Sequence, residues 1–130
     1  MDDLIRTADV ISIHAPLTEK TRHLIGRREF SMMKQEAYLI NTSRGAVVDE
    51  QALVESLVQG KLAGAGLDVY EKEPIIPPEL LELHNVVVTP HIGTDTMETR
   101  LAMARESARN IIDFFSGRQP FHVINPEVYQ

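Results

Sequence analysis

A chain of 130 residues, 43% hydrophobic and 25% charged, has an ordinary globular composition and the size of one small domain, which is small for an enzyme with separate substrate and nucleotide domains. The absence of cysteine excludes a disulfide framework, a thiolate metal site and a cysteine nucleophile. A net charge of -6 argues against a nucleic-acid partner, no apolar run could span a bilayer, and Asp2 and Asp3 follow Met1 where a secretory leader would be basic and apolar, so a cytoplasmic protein without nucleic-acid or membrane partners is expected.

In chain order, Leu4, Ile5 and Ala8 suit the closing turns of a helix that begins upstream of Met1. Residues 10–14 (VISIH) form a β-rich strand that stops at Ala15-Pro16, because proline lacks a donor and restricts the residue before it. Phe30, Met32 and Met33 give one apolar side to a short helix near residues 27–34. Residues 37–41 (AYLIN) are a short buried strand that breaks into Asn41, Thr42, Ser43, Arg44 and Gly45, a hydrogen-bonding cluster ending in a fixed positive charge beside a hinge.

Asp49 caps a helix running to Gln59, with Leu53, Val54, Leu57 and Val58 on one face and Gly60 just past the last turn. Residues 63–69 (AGAGLDV) make a third strand whose small residues admit a close neighbour. Residues 70–85, with Pro74, Pro77 and Pro78, form a loop with at most one helical turn at 79–83. Residues 86–89 are the fourth strand, ended by Pro90 and followed by His91, Ile92 and Gly93. Asp95 then caps a long helix, with Glu98 in the capping-box place, and Met97, Leu101, Ala104, Ala108, Ile111 and Phe115 mark a stripe expected to be buried.

Strands alternating with helices predict an α/β fold with a parallel sheet and right-handed crossovers, in one unit over residues 1–130. All strand ends then face one edge, which collects His14, residues 41–44, Asp68, Glu73 and His91, where open α/β sheets bind ligands. An arginine, a histidine and a carboxylate together suit reduction of a 2-oxo acid: the guanidinium clamps the substrate carboxylate, and the imidazolium donates the proton that the new alkoxide needs. No side chain carries a hydride, so a nicotinamide would supply it. Singly, each residue has a plainer reading: Arg44 as a solvated loop arginine, His14 and Asp68 as strand-end groups, Glu73 as part of a charged loop and His91 as a capping histidine. A metal site of His14, Asp68 and His91 matches no defensible ligand spacing, so none is expected.

ADVISIHAPLT, INTSRGAVVDEQAL, GKLAGAGLDVYEKEP and NVVVTPHIG resemble, in order, the signatures of the D-isomer-specific 2-hydroxyacid dehydrogenase family. The resemblance runs from about Asp9 to the end of the long helix, and the tail looks most like the glyoxylate and hydroxypyruvate reductase branch. It implies Arg44 as the substrate-binding arginine, His91 as the acid/base and Glu73 as its partner. It also implies an NAD or NADP site at Ala15, Thr42, Ser43, Arg44, Asp68, His91, Ile92 and Gly93, with Asp68 meeting the nicotinamide carboxamide. The implied fold is the second half of a Rossmann-type doubly wound sheet ending in a long C-terminal helix, with residues 94–130 returning to a substrate domain and the full-length protein working as a homodimer on small 2-oxo or 2-hydroxy acids.

The sequence departs from the family in having no G-x-G-x-x-G turn and no acidic ribose reader, both of which the family carries upstream of these motifs. A C-terminal portion of such an enzyme is therefore expected, inactive by itself. The rival reading is a non-catalytic nucleotide-sensing or protein-interaction module derived from the same family. Arg44, Glu73 and His91 favour the enzyme; the missing glycine turn favours the module.

Overall fold

The computed structural model describes residues 1–129, which fall into two compact units, Met1–Gly93 and a second that begins at Thr94. The first unit is built on four parallel strands, β1 (Val10–Ile13), β2 (Tyr38–Asn41), β3 (Gly64–Leu67) and β4 (Val86–Val88), adjacent in that order. Helices α1 (Asp2–Thr7), α2 (Arg27–Met32), α3 (Glu50–Val58) and α4 (Pro78–Glu82) precede or connect them. This is the parallel α/β architecture of a Rossmann-type sheet.

Alternation along the strands sorts the faces. Ile11 and Ile13 of β1 are buried with Leu39, Ala65 and Leu67 in register beside them, over a core that includes Ile5, Phe30, Val47, Leu53, Leu57, Leu62 and Leu80. The opposite face is open, with Val10, Tyr38 and Val87 exposed. The small residues of β3 answer to their neighbours: a Cβ on Gly64 would lie 2.4 Å from the Asn85 carbonyl oxygen.

Local signals place α3 firmly. The Asp49 side chain accepts the Ala52 amide at 3.0 Å, and Gly60, at φ 64°, donates to the Leu57 carbonyl while Lys61 donates to that of Ser56, closing a Schellman motif. The buried face is Ala52, Leu53, Ser56 and Leu57; Val54 is half-buried and Val58 exposed, because the helix turns one residue back from the face expected.

The second unit carries α5 (Met97–Phe115), ended by the same motif at Gly117. Its cap is Thr96, which accepts the Thr99 amide at 3.2 Å; Asp95, expected as the cap, pairs instead with Arg100. The stripe from Met97 to Phe115 forms as a stripe, yet no residue of α5 is buried. Periodicity selects the face that avoids water without supplying a surface to cover it. Among the described residues no helix is long and apolar enough to cross a membrane.

Strand β1 is an outer strand whose free side lacks proline, lysine or a bulge to block pairing. The purified chain is expected to self-associate at this edge or fray there. Sedimentation with amide hydrogen exchange checks it: a dilute monomer with amides of residues 10–13 protected as strongly as those of 38–41 would contradict it.

Candidate active site

Each strand of the first unit leads into a turn at the same edge of the sheet. Beyond β2, Asn41 is a buried polar residue, 1% exposed, and it shapes the turn that presents Arg44. Its side-chain oxygen accepts the Ser43 amide at 3.1 Å and the Ser43 hydroxyl at 2.9 Å, while its amide nitrogen donates to the Arg44 carbonyl at 3.1 Å. This Asx-type turn uses every polar group of a side chain that could not otherwise be buried. The exposed Arg44 guanidinium donates to the Ser43 carbonyl at 2.6 Å.

Gly45 explains the next residue. A Cβ there would stand 1.9 Å from the Tyr70 carbonyl carbon and 2.5 Å from the Glu71 nitrogen, so only glycine lets the turn after Arg44 lie against the backbone of the loop that carries Glu73. The Arg44 charge reaches Glu73 and helps to lower its pKa.

Beyond β3, the Asp68 carboxylate is buried and holds the segment after β4. Thr89 donates its hydroxyl to Oδ1 at 2.5 Å, Ile92 its amide to Oδ1 at 2.9 Å and Gly93 its amide to Oδ2 at 2.9 Å. Burial pushes the Asp68 pKa up, but those three donors and the nearby His91 more than reverse it, so the group titrates below its ordinary value. The Tyr70 hydroxyl lies 3.1 Å from the Leu67 carbonyl and 2.9 Å from that of Thr89, bridging the ends of β3 and β4.

His91, at φ 55°, presents Nδ1 to Glu73 Oε2 at 2.8 Å, and Glu73 Oε1 accepts the Tyr70 amide at 3.1 Å. A carboxylate only accepts, so Nδ1 carries the proton and Nε2 is the ring nitrogen that Glu73 leaves unengaged. The His91 hydrogen bond is the main cause of a lowered Glu73 pKa, opposed by partial burial and supported by the Tyr70 amide. Beyond β1, His14, Ala15, Pro16 and Leu17 face Thr42, Ser43 and Arg44 across a cleft of about 460 Å³. His14 itself is hydrogen-bonded to Ser12 at 2.8 Å.

The structure thus brings Glu73 and His91 into contact, ties Asp68 to Ile92 and Gly93, and lines one cleft with Ala15, Thr42, Ser43 and Arg44. Sequence reasoning missed the backbone-clamping work of Asp68 and the organising roles of Asn41, Gly45 and Tyr70. Asn41 had a readable signal, a strand-end asparagine two residues before a serine. Gly45 and the bridge from Tyr70 to Thr89 had none, because those partners are distant in sequence.

The family model for the D-isomer specific 2-hydroxyacid dehydrogenase NAD binding domain matches residues 1–93. A glyoxylate reductase of Thermococcus litoralis is 50% identical over 127 residues, covering 98% of this chain and 38% of that protein. A glyoxylate/hydroxypyruvate reductase B of Erwinia tasmaniensis is 49% identical, covering 97% of this chain and 40% of its own length. The chain therefore spans about two fifths of these relatives. Among solved structures, a Thermus thermophilus protein superposes with a TM-score of 0.90 at 45% identity, covering 95% of this chain and 40% of that one. An NADPH-dependent glyoxylate/hydroxypyruvate reductase of Sinorhizobium meliloti, in complex with NADP and malonate, gives 0.86 at 36% identity, covering 88% and 36%.

Two variants probe this edge. Gly45→Ala is expected to destabilise the first unit by about 1–3 kcal/mol in urea unfolding, since backbone rather than a flexible side chain must move; parental stability would deny the contact with residues 70–71. Asp68 has a lowered folded pKa, so the stability it contributes is present above its ordinary value of 3.8 and is lost as pH falls through the folded value. Asp68→Asn keeps one acceptor but turns a donor toward donors. It should lower stability by about 1–3 kcal/mol at pH 7 and flatten the acid limb of a melting-temperature profile below about pH 4; an unchanged profile would be evidence against the clamp.

Proposed function

The chain belongs to the D-isomer specific 2-hydroxyacid dehydrogenase family, and from that premise we propose that it forms the acid/base and substrate-carboxylate half of an NAD(P)-dependent reductase of small 2-oxo acids, glyoxylate or hydroxypyruvate. The observation that carries this reading is the 2.8 Å contact between Glu73 and His91 Nδ1 at the sheet edge that also bears Arg44. Glu73 keeps the imidazole in the tautomer whose Nδ1 carries the proton, which leaves Nε2 for the reactant. From there His91 delivers a proton to the substrate carbonyl oxygen as it becomes an alkoxide. Arg44 offers paired donors to the substrate carboxylate and draws charge from the adjacent carbonyl.

A nicotinamide bound at this edge would supply the hydride. The cleft between residues 14–17 and 42–44 suits such a group, lined as it is by the polar residues His14, Thr42, Ser43 and Arg44 beyond the carboxyl ends of two strands. Asp68 would act there by holding the Ile92 and Gly93 backbone in place. The reading extends to residues 94–130 as the helix and tail that return to a substrate domain, to a homodimeric full-length enzyme and to a cytoplasmic site of action.

A chimera tests the proposal. With this chain replacing the matching portion of the Thermococcus litoralis glyoxylate reductase, glyoxylate-dependent oxidation of reduced nicotinamide is expected. His91→Ala in that chimera should reduce kcat on the order of a hundredfold or more, and Arg44→Ala should damage KM and kcat together. A folded chimera without turnover, or variants within a few-fold of their parent, would overturn the assignment and leave the non-catalytic module.

A further inference from the structure

Two residues before Glu73 on the same loop, Glu71 pairs with a second histidine, His23 of the segment between β1 and α2, and this pair has no part in the proposed chemistry. Glu71 Oε1 meets His23 Nε2 at 2.7 Å and accepts the Glu50 amide at 3.3 Å, while the Glu71 amide donates to Glu50 Oε2 at 3.2 Å. Because a carboxylate only accepts, His23 Nε2 carries a proton. The Glu71 side chain is 20% exposed and that of His23 40%, so the pair is partly shielded from water.

His23 is itself anchored. It holds φ at 51°, uncommon for a side-chain-bearing residue, and its amide donates to the Ala46 carbonyl at 2.9 Å. Ile25 donates to Val47 and Asp49 to Ile25, which stitches residues 23–25 to the segment that leaves Arg44. Gly45 meets the same loop from beneath, at the peptide between Tyr70 and Glu71. Three stretches of chain therefore meet at the Glu71 carboxylate: its own loop, which also carries Glu73, the first residue of α3, and residues 23–25, which are stitched in turn to the segment after Arg44.

We propose that His23, Glu71 and Glu50 form a positioning latch that holds the Tyr70–Glu73 loop where Glu73 can align His91, fixing that pair relative to Arg44. The proposal rests on the reading of Glu73 and His91 as a functional pair. None of the three latch residues touches the reacting groups; they act through the loop. The cluster has charges to balance, since burial and the Glu71 charge push the Glu50 carboxyl up against the Glu71 amide and Lys72. His23 meets this pair of acids through Glu71 alone.

The latch can be tested on the 130-residue chain without turnover, so its failure is separate from failure of the chimera. NMR would follow the Glu73 carboxyl carbon through an acid titration and the His91 ring nitrogens at neutral pH, in the parent, Glu71→Gln and His23→Asn. Asparagine tolerates the positive φ of residue 23 and leaves Glu71 free to cap α3. Both variants are expected to raise the Glu73 titration midpoint and to deplete the His91 tautomer protonated at Nδ1, while Ala52 and Leu53 amides keep their protection. If His23→Asn leaves the Glu73 midpoint and the His91 tautomer as in the parent, the latch is refuted, even where Glu71→Gln fails to fold. A Glu71→Gln chain that melts earlier with both signals unmoved refutes it too, and makes Glu71 a helix cap.

Discussion

Four strands that hydrogen-bond in one direction must end together, and the site depends on that constraint. Ile13, Asn41, Leu67 and Val88 stand abreast in the parallel register, so whatever follows each of them enters the same edge. Arg44, Asp68 and His91 each lie within three residues of that line. Short exits from a rigid sheet leave little conformational freedom to remove, which is why the turns can be held by a few side chains: Asn41 for one, Asp68 for another, Tyr70 across a third. The strands set direction, and these buried polar groups set angle.

The carboxylates at this edge do different work because their surroundings differ. Asp68 is buried among backbone amides and a hydroxyl, so its charge is consumed in holding residues 92 and 93. Glu73 is half-exposed and uses one oxygen on the Tyr70 amide and the other on His91, so its charge acts on an imidazole that is itself exposed. Both titrate below their ordinary values, yet only one is placed to change what a neighbour does. A lowered pKa alone would not tell clamp from partner; the atoms bonded to each oxygen do.

What the sequence made legible was local. Proline after a strand, Asp49 before a helix and Gly60 after one act within a few residues, and each stands where it was read. The parallel order also followed, since alternating strands and helices leave few topologies. The polar scaffolding was illegible for a physical reason: Gly45 is required by Tyr70, Asp68 by Ile92, and Glu71 by His23, contacts between residues far apart in the chain. No window of sequence contains both partners. Arg44, Glu73 and His91 could be named through the family resemblance, whereas the long-range contacts of Gly45, Asp68 and Glu71 could be found only from the fold.

The same distinction governs the apolar residues that stay open to water, among them the α5 stripe expected to be buried. Ile11 and Val10 are adjacent β-branched residues in one strand, and alternation predicts that one is buried without saying whether the other meets a second layer. Parallel sheets are ordinarily covered on both faces, yet Val10, Tyr38 and Val87 stand open here, as does the whole stripe of α5. Fully burying one such side chain is worth about 1.5–3 kcal/mol, so each open position is a place where stability can still be gained by contact. A hydrophobic pattern is thus a statement about which surface water disfavours. Leu39 became core because α-helical side chains lie against its face of the sheet, and Val10, on the opposite face, did not.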